Sequence, residues 1–311
     1  LWALGSWRPG FNFSRGHARE LVGFSSGVFL ANLGGFLNRR ADALLMGLFF
    51  GPTAVGLYRL ADRFMDNLLE VTMRPIAYVS LPYFSRLQND REKLREAVAS
   101  CVRMTLILTV PAMAVLAACS DFIMALMGPE WEPAADVLKL LALVGVGKAI
   151  VFFTGPLLFA VARPHLRAVM LWILAGLSAG IVVVTGWLLT DSSTRDQANG
   201  MAVSRAAFFL AIVIPVNIAV VCWITGLRPR RLVRWVWSPL AAAAAGIAPV
   251  LVLQAAGLLD GPPPIVGLIV AGACSTLAAA GVLFALEPRA RGLAFPVLRK
   301  MMRRETDSAP A

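Results

Sequence analysis

Apolar residues dominate this 311-residue chain in long blocks, separated by short polar connections rich in Gly, Pro and charge. A helix needs about 20 mainly apolar residues to cross a bilayer. Eight blocks meet that length, near 19–49, 53–84, 96–127, 134–162, 166–190, 198–226, 236–258 and 265–286. The pattern predicts an all-α integral membrane protein with eight transmembrane helices. The first four blocks are longer than a straight crossing requires, which predicts tilt, kinks or projecting ends. Pro75, Pro111 and Pro156 lie inside them, where neighbouring helices can satisfy the freed carbonyls.

Composition agrees. The chain is 58% hydrophobic and 15% charged, with a mean hydropathy of +0.72, whereas soluble domains carry roughly 25% charged residues. The net charge of +11 would suggest nucleic acid in a soluble protein, but here its placement reads as topology and no nucleic-acid partner is expected. Nineteen Lys and Arg fall in alternate connections and the termini: Arg8, Arg15 and Arg19; Arg86, Arg91, Lys93 and Arg95; Arg163 and Arg167; Arg228, Arg230, Arg231 and Arg234; and six in the tail from Arg289 to Arg304. The intervening connections at 51–53, 120–136, 190–199 and 259–264 hold Arg195 alone. By the positive-inside rule both termini of this chain face the cytoplasm. The basic tail, 287–311, has interspersed Leu, Phe, Val and Met; that composition serves either contact with anionic lipid or a solvated extension. The chain opens on LWALGSW, without Met and without the regions of a signal peptide, so its true N-terminus is expected upstream.

The four cysteines, Cys101, Cys119, Cys222 and Cys274, sit in or beside apolar runs without CxxC spacing, and His17 and His165 stand alone in short basic connections. They read as small buried hydrophobes and isolated histidines, so no metal site and no cofactor is expected.

The second block holds the chemistry. GLYRLADRFMDNLLEVTMRPIAYVSLPYF, residues 56–84, is interrupted by Arg59, Asp62, Arg63, Asp66, Glu70 and Arg74. On a helix at about 100° per residue all six fall within an arc of about 120°. Leu60, Ala61, Met65, Leu68, Leu69 and Val71 occupy the other face, the one expected to meet lipid. Each central charge costs about 2.5–3.5 kcal/mol on the insertion scale, so six cost roughly 15–20 kcal/mol. A dozen apolar residues return about 0.5 kcal/mol each. The charged stripe must therefore meet protein or water. Two arrangements satisfy this: structural pairs such as Arg63–Asp66 and Glu70–Arg74, with Arg59 snorkelling, or a water-filled functional cavity.

The preceding block adds Arg39, Arg40 and Asp42 in mid-segment, after Gly34 and Gly35, which allow a bend or close packing. Arg103, Lys139, Lys148 and Arg205 are further basic residues in apolar surroundings, and Lys148, within VGVGKAIVFF, is the most deeply placed. Cations gathered in a bilayer cavity suit an anionic passenger, Arg by its forked geometry and Lys as a point charge. The carboxylates among them could brace the cavity or take up protons.

Three stretches in order, NRRADALLMGLFFGPTAVGLYRLADRF, SLPYFSRLQND and ALMGPEWEPAADVLKLLAL, resemble the polysaccharide-exporter branch of the MOP superfamily, the Wzx-type O-antigen and exopolysaccharide flippases. The resemblance covers about 150 residues; the rest matches in hydropathy. It implies a fold of two six-helix lobes followed by two extra helices. On that plan 1–18 is a cytoplasmic inter-lobe linker, 19–226 the second six-helix lobe, 227–286 the two additional helices and 287–311 the basic tail. The first lobe is then missing. The resemblance further implies alternating access in a bacterial inner membrane, carrying undecaprenyl-diphosphate-linked oligosaccharide from the inner to the outer leaflet. Partners implied are that lipid-linked oligosaccharide, membrane lipids, the missing N-terminal lobe and a polysaccharide polymerase with its export machinery. By position, Arg39, Arg40, Arg63, Arg74 and Lys148 are assigned to the diphosphate, and Asp42, Asp62, Asp66 and Glu70 to the cavity or to ion coupling.

Other functions stay in view. A cation-coupled exporter of drugs should have an acidic, aromatic cavity, and this one is richer in Arg and Lys; a lipid II flippase shares the superfamily. A membrane glycosyltransferase or polymerase should carry catalytic carboxylates in a sizeable external loop; the external connections are short and hold no DxD, so no enzyme is expected. A purely structural membrane partner is the fourth reading.

Overall fold

The computed structural model describes residues 14–227, 229–256 and 263–286. Every regular element among them is helical. The helices are α1 (Arg15–Phe49), α2 (Pro52–Arg86), α3 (Arg91–Ala118), α4 (Ser120–Met127), α5 (Ala134–Val151), α6 (Thr154–Ala160), α7 (Pro164–Leu189), α8 (Thr194–Phe208), α9 (Ile214–Thr225), α10 (Pro229–Ala255) and α11 (Pro264–Leu286). Where helices run nearly end to end they form one rod: α5 with α6, and α8 with α9 through a π-helical turn at Phe209–Val213. Eight rods result. Seven contain stretches long and apolar enough to cross a membrane; the eighth is α2, 35 residues long, which its charges set apart. The protein is thus an all-α, multi-pass membrane protein.

Local chemistry explains the breaks. The block read as 96–127 splits at Cys119, so that only Arg91–Ala118 forms the span and α4 stands apart. Gly128, at φ 122°, then turns the chain into the short 3-10 helix Pro129–Trp131; a left-handed φ of this kind favours glycine. Pro156 stands near the start of α6, just beyond the break after Val151. Pro75 and Pro82 are accommodated within α2, and Pro111 within α3. At the start of α3 the Asp90 carboxylate accepts the Lys93 N–H at 3.1 Å and pairs with Lys93 Nζ at 2.9 Å. The backbone bond first, then the ammonium, holds this carboxyl below its ordinary range.

Packing follows an order unlike the chain order. α2, α3, α5 and α8 form the centre, α10 and α11 lie against α3, and α1 packs on α7 while barely touching α2. The core is built from large side chains such as Phe84, Phe153, Met65, Met113, Leu138 and Leu157. α1 and α7 meet at small residues. A Cβ on Gly34 would come 3.3 Å from the Trp172 indole, and one on Gly186 would lie 2.5 Å from the Phe49 ring. Trp172 Nε1 donates to Leu30 O at 3.2 Å across the same seam. Gly34 therefore provides close packing inside an unbroken helix, the second of the two roles the sequence allowed. The outward faces of α1 and α7 are strongly apolar, with Leu44, Leu48, Ile173 and Trp187 all exposed.

The ends of the bundle differ in charge. At the end bearing the 120–136 and 190–199 connections, Lys139 pairs with Asp121 at 2.8 Å and Asp136 at 3.7 Å, and Arg195 also pairs with Asp136. This network ties α4, α5 and α8, and gives Lys139 protein partners. All four cysteines are free.

Candidate functional site

α2 positions the site. Its one face is committed to the interior: Ala61, Met65 and Leu69 are buried against the core, and Leu60 and Leu68 pack on it. The sequence assigned that face to lipid; the structure corrects this, because α3, α5 and α8 surround it. Of the six expected apolar positions only Val71 stands well exposed. The charged arc lies on the open side. Arg59, Arg63, Glu70 and Arg74 are exposed, and Asp62 and Asp66 are partly buried at the edge against the bundle.

At that edge Lys148 of α5 reaches Asp66, with Nζ 2.8 Å from Oδ1. The lysine side chain is 24% exposed and the carboxylate 49%, so the pair sits at the boundary between protein and the open face. Fourteen residues separate Asp66 from Pro52 and Lys148 from Ala134. At about 1.5 Å rise per residue both therefore lie roughly 21 Å from the same end of the bundle, well inside a hydrocarbon core about 30 Å thick. Asp62, one turn earlier, lies within electrostatic range of Lys148, Asp66 and Arg59. Its Oδ1 is buried with no hydrogen-bond partner, as is the Tyr58 hydroxyl on the same face. Leaving such a group unpaired costs about 1–3 kcal/mol.

Farther along, Arg74 Nη1 pairs with Glu70 at 3.5 Å, both side chains being largely exposed. This is one of the two pairs that spacing suggested. The other, Arg63–Asp66, does not form: Asp66 is turned to Lys148, and Arg63 is left on the open face. Lys148 and Asp66 are thus brought together, Asp62 lies beside them, and Arg63, Glu70 and Arg74 share the same stripe. Arg39, Arg40 and Asp42 fall within α1, but their side chains lie outside the described residues.

The approach of α5 to α2 depends on a residue that sequence reading passed over. A Cβ on Gly145 would lie 2.7 Å from Met113 Sδ and 3.2 Å from Met65 Cγ. Gly145 precedes Lys148 by one turn, so its missing side chain lets α5 come close enough for the lysine to meet Asp66. The signal was present in VGVGK, since small residues mark close helix contacts in membranes. Among the described residues no group of His, Cys, Asp and Glu is arranged to hold a metal ion.

These features define a multi-pass helical membrane protein with a polar stripe at mid-depth. Residues 1–136 match a family described as "Polysaccharide biosynthesis protein". The chain is 28% identical over 220 residues, 68% of its length, to the teichuronic acid biosynthesis protein TuaB of Bacillus subtilis, covering 45% of that protein. It is 26% identical over 244 residues to the succinoglycan biosynthesis transport protein ExoT of Rhizobium meliloti, covering 69% of this chain and 49% of ExoT. It is 27% identical over 159 residues to the lipopolysaccharide biosynthesis protein WzxC of Escherichia coli, covering 50% and 32%. The resemblance to the polysaccharide-exporter branch is borne out by these relatives. The chain spans about half the length, or less, of each of them. No solved structure gives a significant match.

Proposed function

We propose that this chain forms one half of a flippase for lipid-linked oligosaccharides, in which the stripe on α2 faces a wet chamber closed by a second bundle of helices. The observation that carries the reading is the Lys148–Asp66 pair at mid-depth, flanked by Arg63, Glu70 and Arg74 on an exposed face. The described outer faces of α1 and α7 are apolar, as lipid requires; here the face is charged, at a depth where lipid would penalise each group by about 2.5–3.5 kcal/mol. Support also comes from relatives named as a succinoglycan biosynthesis transport protein and as teichuronic acid and lipopolysaccharide biosynthesis proteins.

On this reading the diphosphate of an undecaprenyl-type carrier engages Arg63, Arg74 and Lys148, with Arg39 and Arg40 as further candidates on α1. The polyprenyl tail stays in lipid. Asp66 holds Lys148 until the phosphates compete for it, and Asp62 or Glu70 exchanges protons as the two halves rock between inward and outward states. Transport, rather than bond-making chemistry, is the activity. The membrane is a bacterial inner membrane, with the basic connections and both termini of this chain in the cytoplasm. A polysaccharide polymerase and its export machinery receive the product.

The test is made in the native host. Chromosomal Lys148→Ala and Arg63→Ala should each reduce surface glycan and cause lipid-linked oligosaccharide to accumulate on the cytoplasmic leaflet. Normal glycan with no accumulation in both variants overturns the proposal.

A further inference from the structure

We infer that the basic end of the bundle carries a dedicated site for the phosphate headgroup of an anionic membrane phospholipid, separate from the stripe on α2. A cavity of about 390 Å³ lies there, lined by Gln88, Arg91, Arg163 and Trp223 above an apolar floor that includes Leu94 and Val161. Three distant parts of the chain build it: the connection between α2 and α3, the turn between α6 and α7, and the end of α9.

Each cation is placed by its backbone. Arg91 is the first residue of α3. Its Nε donates to Ile224 O at 3.2 Å and its Nη2 to Trp223 O at 3.1 Å, so it caps the carbonyl end of α9, which finishes at Gly226 with φ 72°. The negative end of that helix and Arg91 thus offset each other in part. Arg163 follows Ala162, the one non-glycine residue with positive φ (56°) among the described residues. Its N–H donates to Leu158 O at 2.8 Å, closing the end of α6. This turn presents the guanidinium over the Trp223 ring, 4.9 Å from its centroid. Among the described residues no carboxylate or carbonyl engages the Arg163 guanidinium, and no carboxylate lines the cavity.

The chemistry selects the ligand. A stacked guanidinium keeps its edges free to fork around a phosphate. A concave wall with two cations and no acid concentrates potential for an anion. Trp223, 60% exposed at the end of a span, occupies the headgroup level where Trp is enriched. The apolar floor suits the glycerol and first methylenes of a phospholipid, which a free phosphate would not need.

Native mass spectrometry of the purified protein, offered equimolar phosphatidylglycerol and phosphatidylcholine, tests this. The protein should retain one phosphatidylglycerol with about tenfold preference: both lipids offer a phosphate, but the choline cation of phosphatidylcholine would be held beside Arg91 and Arg163 and repelled by them. Arg163→Gln should abolish the preference. Arg163→Lys, which keeps the cation over Trp223 without the fork and serves if the Gln variant does not fold, should weaken it. Lys93→Gln, at the same end but outside the cavity, should leave it intact. Equal retention of the two lipids by the unaltered protein, or an unchanged preference in both Arg163 variants, overturns the inference. Inorganic pyrophosphate in excess separates the two sources of phosphate: lipid retention should persist, and displacement would assign the cavity to a diphosphate group instead.

Discussion

Lys148 Nζ lies 2.8 Å from Asp66 Oδ1, joining α5 to α2 at mid-depth. The two residues are 82 apart in sequence, and either alone would be a charge stranded in a bilayer. Together they place a neutral but exchangeable pair at the edge of an open charged stripe.

Breaking the pair should cost stability as well as transport. Lys148→Ala leaves Asp66 half-buried without its partner, at about 1–3 kcal/mol. The exchange Lys148→Asp with Asp66→Lys should recover most of that loss in thermal unfolding. It moves the cation onto α2, so transport should stay low.

Arg63 should behave differently. It is exposed and holds no partner that the fold needs, so Arg63→Ala should shift unfolding by no more than about 0.5 kcal/mol. Glycan export should nonetheless fall. A variant equal to the unaltered protein in both respects would place Arg63 outside the working site.

Gly145 should be intolerant of bulk. Gly145→Val drives methyl groups into Met113 and Met65, and overpacking of this kind costs about 1–3 kcal/mol. Moving α5 away from α2 should also weaken the Lys148–Asp66 pair. A double-mutant cycle of Gly145→Val with Asp66→Asn should then show coupling, whereas strict additivity would mean that the two contacts are independent.

Ala162→Gly should stabilise. The left-handed backbone at φ 56° costs an alanine roughly 1 kcal/mol relative to glycine. A rise in melting temperature is the expected outcome; a fall would mean that the turn is held by something other than its local geometry.

Much of this was legible in the residues. The apolar blocks became helical rods because length and composition are what the bilayer demands. The clustering of six charges on one arc of α2 followed from the 3.6-residue period alone. Which side of α2 faced what was not legible: periodicity separates two faces but does not say which neighbours cover them, and Ala61, Met65 and Leu69 went to protein rather than lipid. The partner of Asp66 was equally hidden. Spacing proposed Arg63 within the helix, and the fold supplied Lys148 from another, through a close approach that only a glycine permits. Arg91 reaching the end of α9 is of the same kind, a contact over 132 positions that no local pattern encodes.

On the proposed function the stripe on α2 meets water inside the membrane. Single cysteines at Arg63→Cys, Glu70→Cys and Trp187→Cys, in a background with the four native cysteines replaced, allow a direct measurement with a water-soluble maleimide in intact membranes. Labelling should be rapid at 63 and 70, slowed by lipid-linked oligosaccharide, and slight at 187 on the apolar face of α7. Protection at 63 and 70 equal to that at 187 would contradict the proposal.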